Sequence, residues 1–355
     1  MLSNYLKQGQ KKLQSSQFFI LKAVDHLPQK LRHQLANQLG FGYLNLDPSL
    51  RLMLALKKKQ RRAGFLSQDL AKDRIEFENN MQLLNRKKTT LTQVKDYQCQ
   101  NHQFRYYSDQ PNTSLPLLIY LHGGGFVTGS VDSHDEVCRI LAKTMQVQVV
   151  SIEYPLAPEH SPSQILSYCQ LLIQYLLTDT PFKILNNQVA IAGDSAGGNL
   201  ATLLAQHFHR IIQAQLLIYP ALDFTTSYES YKKYADDLVL TRADIDLVRH
   251  YYAEQHQLAL DDPLISPSYA QLNGQPACFI VTAGHDVLHD EALAYVEKLQ
   301  AHKVQVQYLN YPAQTHGFVQ LTSVIRSAKQ SLVELSEQFK LFWQAQVPRE
   351  TFKIE

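Results

Sequence analysis

From about residue 91 onward, short runs that are apolar at nearly every position alternate with stretches of helix length. The runs are PLLIYLHG, QVQVVSIEY, QVAIAGD, QLLIYP, ACFIVTAGHD and VQVQYLNYP; between them lie HDEVCRILAKTM, QILSYCQLLIQYLL and NLATLLAQHFHR. A strand with no polar face must be covered on both sides, and intervening amphipathic helices supply that cover. The pattern therefore predicts an α/β protein with a mostly parallel central sheet and helices on both faces. Two earlier β-rich runs, QVKDYQC and QFRYYS, are expected to form an antiparallel hairpin at the sheet edge. At 355 residues and 45% hydrophobic, the chain is long enough for one large core.

Residues 1–90 read differently. Apolar residues recur there at helical spacing among Lys, Arg and Gln, as in LRLMLALKKKQRR and KDRIEFENNMQLL. This is expected to be a helical N-terminal segment contributing to a cap over the α/β domain at 91–355. A cap insertion is expected at about 224–261, where the sequence is helical and Tyr-rich and carries no strand signal. The charge is divided along the same line. Residues 1–90 hold 17 basic against 6 acidic residues, a net of +11, leaving −9 for the remainder. The most concentrated basic run, KKKQRR at Lys57–Arg62, suits a solvated helix face or a weak peripheral contact with an anionic membrane. No nucleic-acid-binding motif accompanies it. The apolar run FFILKAV from Phe18 contains Lys22 and lacks the features of a signal peptide, and no run reaches the ~18 apolar residues of a membrane span. With four dispersed cysteines and no C-x-x-C pair, the expectation is a cytoplasmic protein with reduced thiols.

Three consecutive glycines follow the strand-like run PLLIYL. The segment GGFVTGS has the spacing of a P-loop but lacks its lysine, and G-x-G-x-x-G fails because Thr128 occupies the third glycine position. Backbone N–H groups left uncovered by glycine suit a charge that develops only during reaction, an oxyanion. A nucleophile for such a reaction lies downstream in Gly193-Asp194-Ser195-Ala196-Gly197, a G-x-S-x-G between an apolar strand and an amphipathic helix. Serine needs a base, and the base an orienting acid, in the chain order Ser, Asp, His. Asp286 closes a strand, whereas Asp290 falls in the next helix and Asp261 and Asp262 in a loop. His316 directly follows the last strand and is preferred over His289 and His302. The decoy HDVLH, His285 to His289, imitates a zinc motif, but its two histidines straddle a strand–helix junction. No metal or cofactor is expected.

With HGGG, GDSAGG, a late aspartate and a final His-Gly-Phe in place, the chain resembles the hormone-sensitive-lipase-like esterases of the α/β-hydrolase superfamily over about residues 90–330. YPLAPEH, YPALD, DPLISP and DVLHDE are similar to further landmarks of that family, with Pro155 and Val287 as departures. The resemblance implies an α/β-hydrolase fold and Ser195 as nucleophile, His316 as general base and acid, and Asp286 as its orienter. It places oxyanion donors at the backbone of Gly124, Gly125 and Ala196, with His122, Gly123 and Asp194 as supporting motif residues; within the loop itself, Gly129 reads as a turn. The expected activity is a serine carboxylesterase acting on short- to medium-chain acyl esters. An amidase or deacetylase, a lipase, and a non-catalytic ligand-binding module on the same fold are the alternatives. The sequence leaves the oligomeric state open.

Overall fold

The computed structural model describes residues 21–38, 42–43, 45–59, 64–84, 87–225 and 227–347. The start of the FFILKAV run and the end of the KKKQRR run lie outside the described residues. Eight strands form one sheet in the order β1-β2-β4-β3-β5-β6-β7-β8. They are β1 Gln93–Cys99, β2 His102–Ser108, β3 Leu115–Leu121, β4 Gln148–Glu153, β5 Ile184–Asp194, β6 Ile212–Ile218, β7 Ala277–His285 and β8 Val306–Thr315. The hairpin β1–β2 runs antiparallel and pairs antiparallel with β4, while the pairs from β4 through β8 are parallel. Strands β3 to β7 bury both faces, whereas β8, at the edge of the sheet, is buried only at its end, Gln314 and Thr315. In β3, Leu118 and Tyr120 join one core, and Leu117, Ile119 and Leu121 join the other.

Residues 21–25 are helical, and after them come α1 Gln29–Gln38, α2 Pro48–Lys59, α3 Leu70–Leu84, α4 Asp135–Met145, α5 Pro162–Thr178, α6 Ala196–His207, α7 Ser230–Lys233, α8 Arg242–Tyr252, α9 His289–Ala301 and α10 Arg326–Gln344. Helices α4 and α10 cover one face, with Leu141, Leu332 and Phe339 in its core. Helices α5, α6 and α9 cover the other through Leu172, Leu204 and Leu299. No described helix is long and apolar enough to cross a membrane.

The N-terminal helices are tied to the rest of the chain by buried acids. Asp25 is fully buried and accepts from Ser49 Oγ at 2.7 Å and from the Arg326 backbone N–H at 3.1 Å. Asp244 forms a capping box with Thr241 at the start of α8, which satisfies two otherwise orphaned helix donors. Its Oδ1 also accepts the Phe65 and Leu66 N–H groups, at 2.8 and 2.9 Å. One carboxylate thus fastens the chain before α3 to the segment between β6 and β7.

Candidate active site

The parallel register places several strand ends side by side: Leu121 pairs with Gly193, Asp194 with Ile218, and His285 with Thr315. His122, Ser195, Tyr219, Asp286 and His316 are each the first residue after a strand, β3, β5, β6, β7 and β8 respectively. Five side chains from five strands therefore converge at one edge of the sheet, where α/β folds bind ligands.

Ser195 joins β5 to α6 with φ 55° and ψ −119°, a conformation that strains any residue with a Cβ. Three hydrogen bonds hold it there. Its N–H donates to Ile218 O at 2.9 Å, and its carbonyl accepts from Ala221 N at 3.1 Å and Asn199 N at 3.2 Å. A Cβ on Gly193 would collide with the Gly197 carbonyl, and one on Gly197 with the Leu121 carbonyl. The turn is sharp enough that only glycine fits on either side of it. Helix α6 begins at Ala196, so Oγ lies at a helix N-terminus, where developing negative charge is favoured.

Ser195 Oγ lies 2.9 Å from His316 Nε2, and His316 Nδ1 lies 2.7 Å from Asp286 Oδ2. The other carboxylate oxygen of Asp286 accepts from Leu288 N at 2.9 Å, which fixes its orientation. Both the aspartate and the histidine are buried. The Tyr219 ring packs against the imidazole of His316, centroids 4.5 Å apart, a contact that the YPALD run did not disclose. The neighbouring candidates are occupied elsewhere: Asp290 accepts from Ser230 N, Asp262 from Leu264 N, and His285 sits between the rings of Tyr43 and Tyr234. Among the described residues, no group of three or more His, Cys, Asp or Glu could hold a metal ion.

The glycine loop is anchored from beneath by Asp194. This buried carboxylate accepts from Gly123 N at 2.8 Å and Tyr120 Oη at 2.7 Å, with His134 Nε2 at 3.3 Å. Beside it, His122 is fully buried, stacks on Tyr154 at 4.1 Å, and approaches Gly123 O with Nδ1 at 2.9 Å. Burial, reinforced by His134, pushes its pKa down to about 3, so it stands neutral. Gly124, Gly125 and Phe126 follow with φ of 124°, 63° and 63°. The Gly124 carbonyl accepts from Thr128 N at 3.0 Å and Thr128 Oγ1 at 2.9 Å. The Gly124 and Gly125 N–H groups have no backbone acceptor among the described residues. Gly129 is more than the turn expected of it. It has φ 96°, and a Cβ there would collide with Gly123 O and crowd the His122 ring.

A second buried acid supports the loop after β6. Glu291 on α9 is fully buried and accepts from Leu222 N and Tyr231 Oη, both at 2.6 Å. Burial raises its pKa from the ordinary 4.5 to about 8. Between those values the unfolded chain releases a proton that the folded chain retains. The stabilisation is therefore complete below about pH 4.5 and is lost as pH rises to about 8. Glu291→Gln is expected to flatten the fall in urea midpoint between pH 5 and 8; parallel curves for the two proteins would contradict this assignment.

Above the strand ends lies a cavity of about 640 Å³. Ser195, His316, Gly124 and Gly125 line its floor; Phe77 and Met81 of α3 and Ile245 of α8 are among the residues lining the rest. Such a surface suits an apolar ligand presented to a polar centre.

Fold and site together define an α/β hydrolase with a serine, a histidine and an aspartate in hydrogen-bonded series. The family model described as alpha/beta hydrolase fold (Abhydrolase_3) matches residues 118–320, and the chain belongs to this family, in its hormone-sensitive-lipase-like esterase branch. It is 34% identical to the carboxylic ester hydrolase LipN of Mycobacterium tuberculosis over 61% of this chain, and spans 61% of that relative's length. It is 30% identical to an ethyl acetate hydrolase of Pseudomonas putida, covering 83% of this chain and 98% of the relative. Among solved structures, an esterase of Pyrobaculum calidifontis superposes with a TM-score of 0.76 at 29% identity, covering 84% of this chain and 99% of the esterase.

Proposed function

We propose that this chain is a serine carboxylesterase hydrolysing short- to medium-chain acyl esters through an acyl-enzyme intermediate. The observation that carries the reading is the series Ser195 Oγ–His316 Nε2–Asp286 at 2.9 and 2.7 Å, opening into an apolar cavity beside unpaired loop N–H groups. Ser195 Oγ attacks the ester carbonyl carbon as His316 Nε2 takes its proton. The N–H groups of Gly124, Gly125 and Ala196 receive the oxyanion, each contributing about 3 kcal/mol by analogy with other oxyanion donors. The intermediate collapses to the acyl-enzyme, and His316 returns the proton to the departing alcohol. Water, deprotonated by His316, then releases the acid. Asp286 holds Nδ1–H throughout, so that Nε2 is the basic nitrogen.

At ~30 Å³ per water-sized group, the cavity of about 640 Å³ has room for roughly twenty heavy atoms. An acetyl group fills little of it. In a p-nitrophenyl ester series, kcat/KM is expected to rise from acetate towards medium chains, since each buried methylene contributes up to ~0.8 kcal/mol. An enzyme fastest on acetate would contradict the expected use of the cavity by medium chains, and one faster on matched amides than on esters would contradict the esterase reading.

A further inference from the structure

The glycine loop contains a run of three residues with positive φ, two of them glycine, and such a run does not support itself. Within the loop, Thr128 holds the Gly124 carbonyl. The Gly124 C=O and the Gly125 N–H belong to one planar trans peptide and point in opposite directions. Holding the oxygen therefore aims the N–H, and whatever fixes the chain at residues 126–128 sets the direction of a proposed oxyanion donor. Two contacts do this from outside the loop. The Phe126 carbonyl accepts from Ala157 N at 2.9 Å, and the Val127 carbonyl accepts from Arg74 Nε at 2.7 Å.

Arg74 belongs to α3, in the N-terminal segment. Its Nη2 also donates to Ala157 O at 2.7 Å, and its two Nη groups grip Glu159 in a fork, at 2.8 and 2.7 Å. The ion pair with Glu159 is partly exposed and by itself worth little. Its effect is to hold the guanidinium plane so that the remaining donors meet two backbone carbonyls of different loops. One turn further along α3, Glu78 accepts from Ser130 Oγ at 2.9 Å, pinning the far end of the same loop. The helix that makes these contacts also lines the cavity, through Phe77, Asn80, Met81 and Leu84.

We propose that Arg74 is a positioning residue for the oxyanion loop, and that α3 is a strut coupling the wall of the acyl cavity to the alignment of the Gly125 N–H. This inference rests on the esterase reading above. The oxyanion exists only in the transition state, so misaligning its donor lowers kcat and leaves KM nearly unchanged.

The test is steady-state hydrolysis of p-nitrophenyl butyrate by the full chain, with rates expressed per active site titrated by a phosphonate. Arg74→Ala is expected to lower kcat per site about tenfold or more, part of the cost of losing an oxyanion donor, with KM within about threefold. Arg74→Lys is not expected to restore it, because an ammonium group lacks the planar fork. Methylguanidinium added to Arg74→Ala should recover part of the lost rate. A residue that merely supports the fold would lower the melting temperature and the number of titratable sites while leaving the rate per site intact. An Arg74→Ala rate per site within about twofold of wild type would overturn the proposal. If Arg74→Ala yields no titratable protein, Arg74→Lys decides alone: wild-type rate per site overturns the proposal, and a loss of about tenfold sustains it. A wild-type protein that neither hydrolyses the ester nor takes the phosphonate would instead refute the esterase reading.

Discussion

Ser195→Gly is expected to lower kcat by about 10⁶ and, at the same time, to raise the melting temperature. The loss follows from removing the proposed nucleophile from a unit whose members are proposed to act together. The gain follows from the backbone. Ser195 holds φ 55° and ψ −119°, which costs a residue bearing a Cβ about 1–3 kcal/mol and costs glycine little. Glycine's extra freedom in the unfolded chain takes back about 0.5–1 kcal/mol. The net is of order 1 kcal/mol, a shift of about 1–3 °C in a chain this large. Thermal melts beside ester hydrolysis check both parts. Residual activity near wild type would place the nucleophile elsewhere, and a lowered melting temperature would show that the turn carries no strain for glycine to relieve.

Asp286→Asn is expected to lower kcat by about 10⁴ with the fold intact. Leu288 N donates to Oδ1 of Asp286, so an asparagine must keep its carbonyl oxygen on that side. Its amide NH₂ is then turned towards His316 Nδ1, which has to accept. Neutral imidazole with an unprotonated Nδ1 carries its proton on Nε2, the nitrogen 2.9 Å from Ser195 Oγ. That tautomer cannot take the serine proton. Measurement of kcat on p-nitrophenyl butyrate tests this; a loss below about tenfold would mean that Asp286 does not set the tautomer.

The sheet was legible because continuous apolar runs such as QVVSI and ACFIVTAG are incompatible with a solvated strand face. Ser195 and His316 were legible because the chemistry demands local signatures, glycines around a strained serine and a histidine directly after a strand. Arg74 was not legible. It lies on an ordinary amphipathic helix, and the carbonyl it holds is 53 residues away. Glu78 and Ser130 are separated by 52 residues, and nothing in either neighbourhood anticipates their contact. The Tyr219 ring against His316 belongs to the same class. Its position just past β6 was readable, but the side chain that it would meet was not. Gly129 was underread because a steric requirement against His122 leaves the same trace in sequence as a simple turn.

The tie between Asp25 and Arg326 joins residues 301 positions apart, and Ser195 meets His316 across 121. Closing loops of such length costs entropy before the contact returns energy. During synthesis the serine turn leaves the ribosome well before His316, and Asp25 waits longer still for its partner. Hydrolytic competence therefore requires the chain through His316, so activity regained after dilution from denaturant is expected to report closure of the Ser195–His316 contact rather than collapse alone.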